Sequence, residues 1–149
     1  MQIETLEIKN YRLFRETTLD NLPRMAVVVG ANGSGKSTLF DVLSFLKGAL
    51  TQNVAQAVAQ RGGFRELVSR GEEGPIGITV KFRESGGRLA TYQLEINTDG
   101  GRPVVHREVL KFRRGQAGKP WHFVDFSRGK GSAITNESVY GQEGAEAER

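Results

Sequence analysis

The 149 residues contain no cysteine, which excludes disulfides, thiolate metal sites and Cys nucleophiles. Two histidines, His106 and His122, are too few for a three-His zinc site. No apolar run approaches the ~18–20 residues that cross a bilayer, and charges interrupt the N-terminal MQIETLEIKNYRLF before any signal-peptide core can form. The expectation is a cytoplasmic protein with no membrane partner. At 38% hydrophobic and 26% charged, the composition supports a folded core and argues against wholesale disorder. The length suits one domain or part of one.

Net charge is +4 and unevenly placed, because residues 102–131 hold eight Lys/Arg against only Glu108 and Asp125. Such a stretch is either a solvated sheet face or a surface for nucleic acid, through Arg107, Lys111, Arg113, Arg114, Lys119, Arg128 and Lys130. Trp121 and His122 beside it are candidates for base stacking, although a tryptophan between strands is more often core.

Ile3, Leu6 and Ile8 among charged residues predict a strand from Gln2 to Asn10, and a short strand follows near Arg15–Leu19. Met25-Ala26-Val27-Val28-Val29 is a continuous apolar run, mostly β-branched, as in a parallel strand covered on both faces; it is expected at the centre of the sheet. Leu39, Val42, Leu43, Leu46, Ala49 and Leu50 recur at helical spacing, and a second short helix is expected between Gln52 and Gln60, stopped by Gly62-Gly63. From Ile76 the period becomes two. Three strands joined at Ser85-Gly86-Gly87 and Asp99-Gly100-Gly101 are expected to be antiparallel, with a fourth over Trp121–Phe126 after a Gly118-Lys119-Pro120 turn. The Gly-, Ser- and Glu-rich stretch from Gly129, and Gly141–Arg149 in particular, reads as a polar tail or a truncation point.

The chemistry lies in Gly30-Ala31-Asn32-Gly33-Ser34-Gly35-Lys36-Ser37. It matches the Walker A pattern G-x-x-x-x-G-K-[ST] at every fixed position, between an apolar run and an amphipathic helix. Glycines allow backbone N–H groups to wrap a phosphate, and the helix N-terminus adds the positive end of its dipole. Lys36 supplies a mobile charge for the β- and γ-phosphates, and the Ser37 hydroxyl stands one residue later for Mg²⁺. Candidate cofactors are therefore ATP and Mg²⁺.

Ile8-Lys9-Asn10-Tyr11-Arg12-Leu13-Phe14 followed by Val27–Leu39 resembles the N-terminal lobe of the RecF/SMC/OLD class of ABC-type ATPases. In that class an "hxNFRxF" segment precedes a "GxNGSGKS" loop. The resemblance is closest to bacterial RecF-like AAA-family ATPases, which share an Arg-Gly-Gly-Phe segment like Arg61–Phe64. It implies an α/β P-loop NTPase, lobe I of an ABC-type ATPase with an antiparallel β-hairpin subdomain, and an incomplete domain. Residues 1–62 would carry the loop and its helices, 63–135 the β subdomain, and 141–149 the tail.

The resemblance further implies that Arg12 reaches the nucleotide's phosphates or ribose, and that Asn32 shapes the loop beside the γ-phosphate. Ala31, Ser34 and Thr38 complete the nucleotide-binding segment, and Arg61 or Arg65 is implied to act near DNA or the γ-phosphate. Hydrolysis in this class takes a strand ending in Asp-Glu, a signature motif from an opposing protomer and a switch histidine. The sequence has none of these. Phe123-Val124-Asp125 is followed by Phe126 where the catalytic Glu would stand, so no catalytic residue is assigned. The expected function is ATP binding, with turnover awaiting a missing lobe and homodimerisation through the nucleotide, in DNA repair or phage defence. A small phosphotransferase and a basic nucleic-acid-binding module are the competing readings.

Overall fold

The computed structural model describes residues 1–84, 87–113, 121–128 and 130–133. Within them, strands β1 (Gln2–Tyr11) and β2 (Phe14–Leu19) precede helices α1 (Lys36–Thr51), α2 (Val54–Ala59) and α3 (Phe64–Leu67). Strands β3 (Ile76–Arg83), β4 (Leu89–Asp99), β5 (Arg102–Phe112), β6 (Trp121–Ser127) and β7 (Lys130–Ala133) follow. All seven strands form one sheet in the order β2-β1-β3-β4-β5-β6-β7, with every neighbouring pair antiparallel.

The alternation expected from Ile76 onward is realised in register: Ile76, Ile78 and Val80 stand opposite Ile96, Leu94 and Tyr92. With Leu6 and Ile8 of β1 they form the sheet's contribution to the core, against Val42, Phe45 and Leu46 of α1, Ala57 and Val58 of α2 and Leu67 of α3. The β4–β5 connection is the expected two-residue hairpin. Gly100 and Gly101 both have positive φ (54° and 81°), as a turn matched to the strands' right-handed twist requires. The other face of the sheet is stitched by cross-strand ion pairs, Glu7–Lys81 (2.7 Å), Glu4–Arg83 (2.6 Å) and Arg107–Asp125 (2.8 Å).

Two expectations are corrected. Met25–Val29 is not the central strand: residues 26–30 belong to no element, and Val27 and Val29 are 78% and 85% exposed. Leu22 N–H donates to Glu4 C=O (3.0 Å) before the segment, and Gly35 lies against Phe14 after it. A central strand covered on both faces needs a partner on each side, and among the described residues the antiparallel sheet offers only the outer edges of its terminal strands β2 and β7. The apolar face of α1 is also narrower than its periodicity suggested. Val42, Phe45 and Leu46 are buried, whereas Leu43 and Leu50 join Phe40 on the exposed side. The expected turns at Ser85-Gly86 and Gly118-Lys119-Pro120, and the tail from Gly141, lie outside the described residues.

Candidate nucleotide-binding site

Gly33 (φ 81°) and Gly35 (φ 98°) carry the chain through left-handed conformations into α1. Gly35 is glycine for two reasons: its φ disfavours any L side chain, and an added Cβ would stand 2.9 Å from Cε1 of Phe14. The first helical hydrogen bond runs from Leu39 N–H to Gly35 C=O (2.9 Å), which leaves the N–H groups of Lys36, Ser37 and Thr38 without intrahelical acceptors. No acidic residue occupies the first turn. Donors and the dipole's positive end therefore converge there without a competing carboxylate, as an anion requires.

Lys36 reaches back over the loop, its Nζ donating to the carbonyls of Gly30 and Ala31 (2.7 Å for Ala31) with Ser34 Oγ at 3.4 Å. Gly30, Ala31, Asn32, Gly33, Ser34 and Ser37 are exposed, whereas Thr38 is buried. Among the described residues no cluster of three His, Cys, Asp or Glu could cage a metal. A cation here would be held by the Ser37 hydroxyl together with phosphate oxygens, a donor set suited to Mg²⁺. A groove of about 1040 Å³ lies at the opposite end of α1, between Leu50, Asn53 and Val54 and the Val104–His106 stretch of β5.

The Asn10–Phe14 turn is bound to both the loop and the segment after α3. Asn10, in a left-handed conformation (φ 57°) and 5% exposed, donates through Nδ2 to the carbonyls of Gly74 (3.1 Å) and Pro75 (3.3 Å). Its Oδ1 accepts from Ser69 N–H (3.2 Å). Arg12 N–H donates to Leu67 C=O (2.6 Å), and Ser69 Oγ donates to Phe14 C=O (3.2 Å). The asparagine of this motif is thus a structural brace, and its aromatic partner Phe14 is the wall of the glycine loop.

Asp41, on α1, is the centre of a charged cluster. Its Oδ2 accepts from the Tyr11 hydroxyl (2.7 Å), its Oδ1 accepts from Arg61 Nε (2.9 Å), and Arg12 Nε stands 3.3 Å from Oδ2. Burial, reinforced by the hydrogen bond to Asp41, pushes the Tyr11 phenol well above its ordinary range. Arg61 also donates to Ala57 C=O (3.0 Å) and Ser44 Oγ (3.1 Å) and stacks over the Phe45 ring (5.4 Å to the centroid). With a side chain only 11% exposed, it is a clamp between α1 and α2; Arg65 lies exposed on α3. The signal available in the sequence was spacing: Asp41 is four residues after Ser37, hence one turn along the same helix face.

The basic stretch is partly neutralised by its own carboxylates. Asp125 pairs with Arg107 and lies 2.9 Å from His122 Nδ1, on the charged face of the sheet and occupied as a structural partner. Arg114 and Lys119 lie outside the described residues. No helix among the described residues is long and apolar enough to cross a membrane.

The chromosome partition protein Smc of Thermoplasma acidophilum is 36% identical over 87 residues, covering 58% of this chain and 7% of that protein. The DNA replication and repair protein RecF of Idiomarina loihiensis is 34% identical over 74 residues, 50% of this chain and 19% of that one. RecF of Staphylococcus haemolyticus is 25% identical over 146 residues, covering 90% of this chain and 39% of the relative. The chain therefore spans well under half the length of these relatives. The family model for the AAA ATPase domain matches residues 1–140, so the chain belongs to the AAA ATPase domain family, in its RecF/SMC class.

Proposed function

We propose that this chain is the ATP-binding lobe of a RecF/SMC-like ATPase, of the ABC-type lobe I architecture, holding ATP and Mg²⁺ at Gly30–Ser37. One observation carries the reading: the Lys36 ammonium sits over the loop on backbone carbonyls, with an open, donor-rich helix start beside it. A triphosphate offers that ammonium a stronger acceptor than two neutral carbonyls. Backbone N–H groups of Gly33–Ser37 would hold the β-phosphate, Lys36 the β- and γ-phosphates and Ser37 the cation, while Arg12 approaches from the β1–β2 turn. Mg²⁺, when bound, supplies neutralisation of phosphate charge.

Hydrolysis belongs in this reading to a larger assembly. The exposed Met25–Val29 run, the only long β-branched stretch among the described residues that pairs with nothing, supports a sheet completed by strands from outside these 149 residues. ATP-driven pairing of two copies would bring the remaining catalytic groups. Residues 1–62 then carry the nucleotide and 63–135 the β subdomain; relatives named for chromosome partition and for DNA replication and repair support a role on DNA, and phage defence is the other setting that the resemblance implies.

The test is calorimetric titration of ATP–Mg²⁺ into the chain, with phosphate release measured alongside. Binding without turnover is the expected result, and Lys36→Ala is expected to weaken it by a factor of ~100 or more, the loss of a charge-assisted contact to phosphate. Full ATP affinity in Lys36→Ala refutes the assignment of the loop. Turnover above trace rates that disappears in Lys36→Ala refutes the division of labour between lobes.

A further inference from the structure

The carboxylate of Asp41 faces two guanidinium groups and treats them differently. Arg61 is locked by a hydrogen bond to Oδ1, by Ala57 C=O, by Ser44 Oγ and by the Phe45 ring. Arg12 is attracted but not bonded. Its Nε is buried, makes no hydrogen bond, and lies 3.3 Å from an oxygen that already accepts the Tyr11 hydroxyl at 2.7 Å. The Arg12 side chain as a whole is nevertheless 37% exposed, so its exposed part lies away from Nε. Its backbone is pinned through Leu67 C=O. Asp41 itself lies one helical turn beyond Ser37 on the same face. A guanidinium fixed by charge, with donors unspent, is preset for a second anion.

We infer that Asp41 is a positioning residue for the nucleotide site: it holds Arg12 beside the first turns of α1, while the Tyr11 hydroxyl, by occupying Oδ2, keeps the Arg12–Asp41 pair from closing and leaves the guanidinium to a phosphate of a nucleoside triphosphate. Tyr11 stands where the resembled "hxNFRxF" pattern has phenylalanine, so this hydroxyl is a property of the present chain. The inference rests on the proposed binding of nucleotide at Gly30–Ser37.

A double-mutant cycle on ATP–Mg²⁺ affinity tests it, because the extra positive charge of Asp41→Asn is present in both arms of its background and cancels. Arg12→Ala is expected to weaken binding about tenfold in the unmodified background, as for one charged contact to phosphate, and less than about threefold in Asp41→Asn. Ser37→Ala should cost the same factor in both backgrounds, and Asp41→Glu should restore most of the Arg12 contribution; general loosening of α1 would instead couple Asp41 to Ser37 as strongly. Thermal melts establish that each variant is folded. Should Asp41→Asn not fold, Tyr11→Phe carries the cycle with no change of charge: the closed ion pair is expected to reduce the Arg12 contribution. An Arg12→Ala cost that is equal in the unmodified background and in the Asp41→Asn or Tyr11→Phe background overturns the inference. An Arg12→Ala variant that binds as tightly as the unmodified chain likewise overturns the inference and leaves the loop reading standing; failure of the underlying reading has a different signature, in that the unmodified chain does not bind ATP or Lys36→Ala binds it with full affinity.

Discussion

Asn10→Ala isolates the brace that ties the β1–β2 turn to the segment after α3. The side chain makes three hydrogen bonds to backbone groups 59 to 65 residues away, and its removal leaves the Ser69 N–H, in a residue only 2% exposed, without its acceptor. Leaving a buried donor unpaired costs about 1–3 kcal/mol, with less for the two carbonyls that keep a second lone pair. Alanine must also adopt φ 57°, at roughly 1 kcal/mol. The sum is about 3 kcal/mol. Asn10→Gly accepts the backbone conformation and loses only the hydrogen bonds, so it is expected near 2 kcal/mol, which orders the series Asn, Gly, Ala. Asn10→Asp keeps the acceptor for Ser69 but turns a carboxylate toward the carbonyls of Gly74 and Pro75. That raises its pKa in the folded state, so its cost should shrink as pH falls through the carboxylate range, where a protonated oxygen can donate. Urea unfolding followed by far-ultraviolet circular dichroism measures all three. An Asn10→Ala change within about 0.5 kcal/mol of zero, or Gly no better than Ala, refutes the brace.

The other predictions concern the loop, the cluster and the open edge. Gly35→Ala should lose about 2 kcal/mol, from positive φ and the Phe14 contact, and weaken ATP binding; pairing it with Phe14→Leu should recover only part, and full recovery would show that φ is not the constraint. Ser37→Ala is expected to reduce the gain in ATP affinity that Mg²⁺ provides, and an unchanged metal dependence in calorimetry argues against the hydroxyl as ligand. Tyr11 is held protonated in the fold above its ordinary value of 10.0, so its stabilisation is complete below about pH 10 and is lost as pH rises beyond it, the unfolded chain releasing its proton first. Alkaline melts should show that loss, and Tyr11→Phe should remove it; an unaltered profile in the variant would exclude Tyr11 as the cause. Val29→Asp, at a position 85% exposed, should change stability by less than about 0.5 kcal/mol while lowering self-association in sedimentation, and a large loss of stability would mean that the run is packed after all.

Local chemistry was legible in the sequence. The period of two from Ile76, the Gly100-Gly101 turn and the glycine-to-lysine entry into α1 depend on neighbours in the chain, and the structure realises each. The glycine-rich loop likewise follows from adjacent residues, since its backbone donors need only glycines and a helix start. Met25–Val29 shows the limit. A β-branched run says that a segment suits a strand, but whether it becomes a central one depends on partners on both sides, and here β1 spends its two edges on β2 and β3 and only the terminal strands keep an open edge.

The cluster around Asp41 was out of reach for a related reason. Asp41 lies 30 residues after Tyr11 and 20 before Arg61, and each reads alone as an ordinary aromatic or surface charge. Asn10 reads as a motif letter until β1 pairs with β3 and brings Ser69, Gly74 and Pro75 beside it. By itself the sequence determined the hairpins, the first helix and the phosphate-type loop, because backbone conformation and periodicity are short-range properties. Only the tertiary structure decided which charges pair, which arginine is locked and which is left open, and which apolar run stays uncovered, because burial and ion pairing depend on what distant segments bring into contact.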